Sequence, residues 1–190
     1  MISKQETRAK LKSYRMMFTL EQWDVLSDLI QDQFIGWLSK SEFRNIGIYL
    51  ESSIQRELST KKIIAHLMQK KLLISVPKVI SENGDMIFVN FDGSWRTEIN
   101  KWGVLEPIDS TEVSKHDLDM LIVPMLGGDK NGSRIGYGKG FYDRYLADFT
   151  GISVGLCPTA FILSDIPVEI HDKKLDFIIT ESEIIRIAKQ

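Results

Sequence analysis

NIGIYLESSIQRELSTKKIIAHLMQKKLLISVPKVI (residues 45–80) decides the fold. Its first six residues form a short apolar run of the kind a buried strand requires. Ser59 or Thr60 then stands where a helix cap belongs, ahead of STKKIIAHLMQKK, which reads as a helix. LLISVPKVI is a second strand, and Pro77, which lacks an N–H, marks where it ends or bends. Two strands separated by one helix predict a βαβ unit, and hence a parallel sheet covered on both faces.

Toward the N-terminus the pattern is helical. Residues 4–17 read as an amphipathic helix, with Ser3 as cap and Glu6 as its capping-box partner. Lys4, Arg8, Lys12 and Arg15 are spaced four, four and three apart and form one basic stripe, while Leu11, Tyr14 and Phe18 mark an apolar face. Such a stripe reads as a solvated face or as a phosphate or membrane contact. Thr19 and Gln22 open a second helix, in which Trp23, Leu26, Leu29, Ile30, Phe34, Trp37 and Leu38 recur with a 3.6-residue period.

Toward the C-terminus, residues 81–109 hold Gly, Asn, Asp and two tryptophans and read as hairpins and loops. Trp95 and Trp102 could pack in a core or lid, or stack on a ligand. LDMLIVPML (residues 118–126) is the most strongly buried strand candidate. ISVGLC is another strand, and LDFIIT (residues 175–180) is expected to be the last. Neither an internal repeat nor a low-complexity linker interrupts the chain. The expectation is one α/β domain, residues 1–190, with a mostly parallel sheet and an N-terminal helical arm.

Bulk properties narrow the function. With 190 residues, 43% apolar and 26% charged, the chain can bury a sizeable core. A formal net charge of −2 argues against a nucleic-acid binder. The lone Cys157 cannot form an internal disulfide, so a reducing, cytoplasmic setting is expected. The N-terminal residues lack the apolar run of a secretory signal, and no run is long enough to span a bilayer.

The chemistry concentrates after the central strand. Glycines fall at 127, 128, 132, 136, 138 and 140, and RIGYGKGFYDRYL (residues 134–146) reads as a loop opening into a helix. Open α/β sheets bind ligands beyond the carboxyl ends of their strands, which is where this segment lies. Glycine lets backbone amides approach phosphate oxygens, and Arg134 and Lys139 add charge for the same oxygens. Neither GxxxxGK[ST] nor the dinucleotide GxGxxG is present. On spacing alone the segment reads as a phosphate cradle or as a long surface connection. Asp143 could hold Mg2+ or pair with Lys139. His66, His116 and His171 are not spaced as zinc ligands. Asp172 and Asp176, four apart, could face one another or cap the last strand.

VPMLGGDKNGSRIGYGKGFYDRYL resembles the signature of the 5-formyltetrahydrofolate cyclo-ligases, also called 5,10-methenyltetrahydrofolate synthetases. Further matches follow in the family's order: Lys4 and Arg8 for its N-terminal basic helix, IYLESSIQRELSTKKII with Glu57 and Thr60, GVLEP at residues 103–107, and IPVEIHDKKLDFIITE. The chain departs from the family at Met125, where glycine usually follows the proline, at Gly128, which replaces an aromatic, and in a longer stretch between Tyr49 and Glu57. The resemblance implies an α/β/α sandwich with a Rossmann-like sheet. It also implies ATP- and Mg2+-dependent closure of 5-formyltetrahydrofolate to 5,10-methenyltetrahydrofolate, with ADP and phosphate as co-products. Carried over residue by residue, ATP would meet Lys4, Arg8 and the stretch Arg134, Ile135, Gly136, Tyr137, Gly138, Lys139, Gly140, Phe141 and Tyr142. Arg134 and Lys139 would stabilise the transferring phosphoryl group. Glu57, Tyr137, Phe141 and Tyr142 would contact the folate, and Asp143 and Asp172 would hold Mg2+. The substrate could be polyglutamated, and a soluble monomer without nucleic-acid or membrane partners is expected.

Overall fold

A computed structural model describes residues 2–81, 85–93, 97–99, 105–108 and 111–188. The chain opens with helices α1 (Lys4–Met16) and α2 (Leu20–Leu38), followed by β1 (Asn45–Gly47), α3 (Lys61–Gln69) and β2 (Leu73–Val79). Then come β3 (Met86–Asn90), β4 (Thr97–Ile99), β5 (Leu105–Pro107), β6 (Glu112–Val113) and the central β7 (Met120–Val123). The glycine-rich region holds β8 (Gly127–Asp129) and β9 (Arg134–Ile135), and leads to α4 (Phe141–Tyr145). β10 (Ile152–Leu156), β11 (Ile162–Leu163), β12 (Phe177–Ile179) and β13 (Ile184–Arg186) complete it. Trp95 and Trp102 lie outside the described residues.

Eight of these strands form one sheet in the order β13-β12-β10-β7-β1-β2-β3-β6. The five in the middle, β12 to β2, run parallel, and the strands beyond them on both flanks are antiparallel. The predicted βαβ unit is present: β1 and β2 pair in parallel with Asn45 opposite Leu73, joined through α3. The Asp119 carboxylate accepts from the backbone N–H of Arg44 (2.7 Å) and Asn45 (2.9 Å), pinning the start of β1 beside that of β7.

Register assigns the faces. Ile46, Met120, Ile122, Val154 and Phe177 share one face, because side chains alternate along each strand. Trp37 of α2 packs on Phe177 at a ring separation of 5.0 Å, so α2, and with it α3, covers this face. The period read in α2 does bury Trp23, Ile30, Phe34 and Leu38. Each contributes roughly 2 kcal/mol of apolar transfer. The opposite face carries Gly47, Leu121, Gly155 and Phe88, and Tyr145 of α4 packs on Phe88 at 4.9 Å. The result is an α/β/α sandwich built on a largely parallel sheet, with two helices leading into it.

Four local expectations are corrected. Pro77 sits inside β2, opposite Phe88, and neither ends nor bends it. The β1 pairing stops at Ser75, so the missing N–H leaves no gap in that ladder. Of the two cap candidates, Thr60 directly precedes α3 but its side chain makes no cap bond, its hydroxyl donating to the Tyr49 carbonyl at 2.8 Å, while Ser59 Oγ accepts from the Lys61 N–H at 3.4 Å. The glycine-rich segment is not all loop: β8 and β9 form a hairpin with Gly128 opposite Arg134. β12 is not the last strand, because β13 folds back antiparallel against it.

Candidate active site

The site begins with α1. The capping box read from sequence is formed: Ser3 Oγ accepts from the Glu6 N–H, and the Ser3 N–H donates to Glu6 Oε2. The helix lies across the chain just past the carboxyl end of β7. Most of its basic stripe therefore turns toward the protein, with only Lys12 exposed. Lys4 pairs with Asp172, and Arg8 Nε donates to the Gly136 carbonyl at 2.9 Å. Lys12 Nζ lies 5.6 Å from the centre of the Tyr137 ring. Arg15 is 2% exposed and donates to four oxygens in the protein interior.

Below α1 lies a cleft of about 460 Å3, lined in part by Lys4, Arg8, Lys12, Arg134 and Lys139. That is within the size range of small-molecule sites, and it lies beyond the carboxyl ends of the parallel strands as predicted. Gly136, Gly138 and Gly140 line it as well. A Cβ on Gly136 would meet nothing within 4 Å, so its backbone faces open space. Gly138 has φ +95°, a conformation other residues rarely adopt, and a Cβ there would come within 3.0 Å of the Arg8 guanidinium carbon. Ile135 is buried in β9 and does not line the cleft, so its contribution is the strand that aims Arg134.

Two groups of residues contact one another within the cleft. The first is ionic. Arg134 Nη2 donates to Asp143 Oδ1 at 2.6 Å, and Nη1 donates to the Lys173 carbonyl. Asp143 thus pairs with Arg134 rather than Lys139. Burial lowers the Arg134 pKa, with Asp143 acting against it. Asp172 accepts from Lys4 and, at 2.7 Å, from the Glu169 N–H. Burial alone would raise the Asp172 pKa, yet these donors hold it below the usual carboxylate range. Glu169, His171 and Asp172 bring their ligand atoms within 4.8 Å of one another, so His171 does stand among possible metal ligands. Asp176 is elsewhere, accepting from Ser153 N–H and Oγ at 2.9 Å each and tying β12 to β10.

The second group is mainly aromatic and half-buried, with Tyr49 and Pro77 fully buried. Tyr49, Tyr137 and Tyr142 surround Glu57, and Pro77, Val79 and Met86 supply a wall. Burial pushes the Glu57 pKa up to about 7, against the Ser52 N–H that donates to Oε2 at 2.8 Å and the nearby Arg15. The Tyr142 hydroxyl is buried without a protein hydrogen-bond partner. Phe141 also lines the cleft, as expected for a ring beside a ligand.

Sequence reasoning placed Lys4, Arg8, Glu57 and the 134–143 stretch around one cavity. It missed the Tyr49, Pro77, Val79 and Met86 wall, whose residues carry no motif. It listed Arg15 only as part of a stripe, although a position two turns from Arg8 was a signal that it faces the same way.

The sequence profile of the 5-formyltetrahydrofolate cyclo-ligase family matches residues 1–181. The chain belongs to the 5-formyltetrahydrofolate cyclo-ligase family. It is 30% identical over 181 residues to the cyclo-ligase of Escherichia coli K12, covering 92% of this chain and 98% of that one. It is 27% identical over 192 residues to the cyclo-ligase of Mus musculus, covering 94% of each. The fold of the NMR structure of Aquifex aeolicus 5,10-methenyltetrahydrofolate synthetase matches with a TM-score of 0.85 at 24% identity, over 98% of this chain and 94% of that one. The Mycoplasma pneumoniae synthetase matches with a TM-score of 0.78 at 22% identity, over 95% and 99%. As a cyclo-ligase family member the chain is an ATP-dependent ligase with an α/β fold, and no described helix is long and apolar enough to cross a membrane.

Proposed function

We propose that the cleft closes 5-formyltetrahydrofolate to 5,10-methenyltetrahydrofolate at the expense of ATP, with Mg2+, and that residues 1–190 act as a single domain. The observation that carries this reading is the division of one cavity into a cationic, glycine-lined part and a half-buried aromatic part around Glu57. The first suits a triphosphate, the second a flat polar heterocycle.

The chemical obstacle is a formamide oxygen, a poor leaving group. The formyl oxygen attacks the γ-phosphorus of ATP and ADP departs. N10 then attacks the formyl carbon, its proton is lost, and the C–O bond breaks with phosphate carrying the former formyl oxygen. Such a sequence needs positioning and charge neutralisation more than covalent catalysis by the protein. Arg134 and Lys139 neutralise the transferring phosphoryl oxygens, and Lys4 and Arg8 hold the triphosphate from α1. The open backbone at Gly136 and the cradle at Gly138 fit phosphates where a side chain would not. The carboxylates of Asp143 and Asp172, with Glu169 beside Asp172, form the oxygen-rich donor set that suits Mg2+, which when bound neutralises phosphate charge. Both carboxylates pair with Lys4 and Arg134 in the free protein, so binding exchanges these pairs for metal and phosphate. Glu57, Tyr137, Phe141 and Tyr142 meet the pterin. A monomer in the cytoplasm, able to accept polyglutamated folate, belongs to the same reading.

An isotope label tests the order of steps. With 18O in the formyl group, one labelled oxygen appears in the inorganic phosphate. Unlabelled phosphate alongside cyclised product would remove the phosphorylated intermediate.

A further inference from the structure

Arg15 joins more of the chain than any site residue discussed above. Its Nη1 donates to the Arg56 carbonyl (3.1 Å) and the Tyr137 hydroxyl (2.8 Å), and its Nη2 to the carbonyls of Met125 (2.9 Å) and Leu126 (3.2 Å). The guanidinium also lies 4.8 Å from the Trp23 ring centre and 5.7 Å from that of Phe161. One side chain on α1 thus fixes the turn after β7, the turn after β9 and the segment that carries Glu57.

The donor inventory gives this contact a direction. A guanidinium has no acceptor, so the Tyr137 oxygen must accept from it. The single hydroxyl proton is then free to point elsewhere. Burial raises the Tyr137 pKa, which keeps that proton in place, and Glu57 lines the same cleft, next in sequence to the Arg56 whose carbonyl Arg15 also holds. We propose that Arg15 is a positioning residue: by holding the Tyr137 oxygen and the Arg56 carbonyl through one nitrogen it fixes the Tyr137 hydroxyl and the segment carrying Glu57 relative to one another, and so sets how that carboxylate meets the folate. The proposal rests on the folate reading above for its last step, and on the geometry alone for the rest.

Glu57 is faced by Arg15 of α1, Tyr137 of the turn after β9, Tyr142 of α4, and Tyr49 and Glu51 of the stretch following β1. Two variants separate direction from charge. Tyr137→Phe removes the hydroxyl and keeps the ring, whereas Arg15→Lys keeps the charge and loses the fork that holds several oxygens at once.

The deciding measurement is a 13C NMR titration of the Glu57 side-chain carboxyl in the ligand-free protein, the signal being identified by its loss in Glu57→Gln. Tyr137→Phe should raise the midpoint by about one pH unit, since a hydroxyl that favours the charged form is lost. Arg15→Lys should raise it in the same sense, and the double variant should go no further than Tyr137→Phe. An unmoved midpoint in Tyr137→Phe, or an undiminished Arg15→Lys shift in the Tyr137→Phe background, overturns the proposal. In turnover assays the pH dependence of kcat/KM for the folate should follow the NMR midpoints. Parallel losses of ATP binding and thermal stability with an unshifted profile would make Arg15 merely structural. If the wild-type protein gives no folate turnover, the functional reading falls by itself, while the titration still decides the Arg15–Tyr137–Glu57 linkage.

Discussion

Glu57 is a carboxylate the fold holds at a cost. Its pKa is near 7 in the folded protein against an ordinary 4.5, so between these values the folded state retains a proton that the unfolded chain has lost. Stability therefore falls as pH rises through that window, by roughly 3 kcal/mol in total at about 1.4 kcal/mol per unit. Glu57→Gln should remove this dependence. Urea unfolding at pH 5 and pH 8 should show the variant gaining on the wild type at the higher pH, and an equal difference at both would contradict the burial argument. Met125 and Gly128 are two of the positions read as departures from the family pattern, and in the structure they lie against one another. The Met125 methyl lies 2.6 Å from where a Gly128 Cβ would stand, and its sulfur 2.4 Å from a Gly155 Cβ. The methionine fills the space that the missing side chains leave. Gly128→Ala should destabilise by about 1–3 kcal/mol through overpacking. Combined with Met125→Ala, it should cost less than the two single changes added, as denaturant curves would show. Strict additivity would mean that the two residues do not share that space.

At the scale of elements, α1 matters most, because one short helix carries Lys4, Arg8 and Lys12 to the cleft and Arg15 to the interior beside it. Lys4 stands in its first turn, directly after the Ser3 cap. Ser3→Ala removes the capping box, worth about 1 kcal/mol. That bounds the loss of ATP affinity from a frayed first turn at roughly fivefold. An ATP titration should find a loss within that bound and no change in the Glu57 titration. A larger loss would mean that Ser3 touches the nucleotide itself. The helix itself was legible: its cap, its length and its basic period are all in the sequence. Its direction was not, because a period of 3.6 residues says which side chains share a face but not whether that face meets water or protein. β2 shows the converse. Pro77 is normally a stop signal, and only the end of the β1 ladder at Ser75, a tertiary fact, explains why it is tolerated mid-strand.

For the whole molecule, the parallel order of the central strands follows from one βαβ unit and buried apolar runs, which is why residues 45–80 gave the class. The antiparallel flanks were less readable, since β6 and β13 are two and three residues long and carry no alternation to detect. The glycine-rich stretch located the cleft, but its apolar wall comes from β2 and β3 and could be seen only once the chain was folded. The account as a whole predicts that phosphate groups and pterin groups meet in one cavity. The most direct test follows absorbance in the methenyl-folate band as purified protein meets 5-formyltetrahydrofolate, ATP and Mg2+. A rise that requires all three components is the predicted result, because the cyclised product alone carries the extended conjugated amidinium. No rise, from protein that still binds ATP, would contradict the account and leave the cleft a nucleotide site without this chemistry.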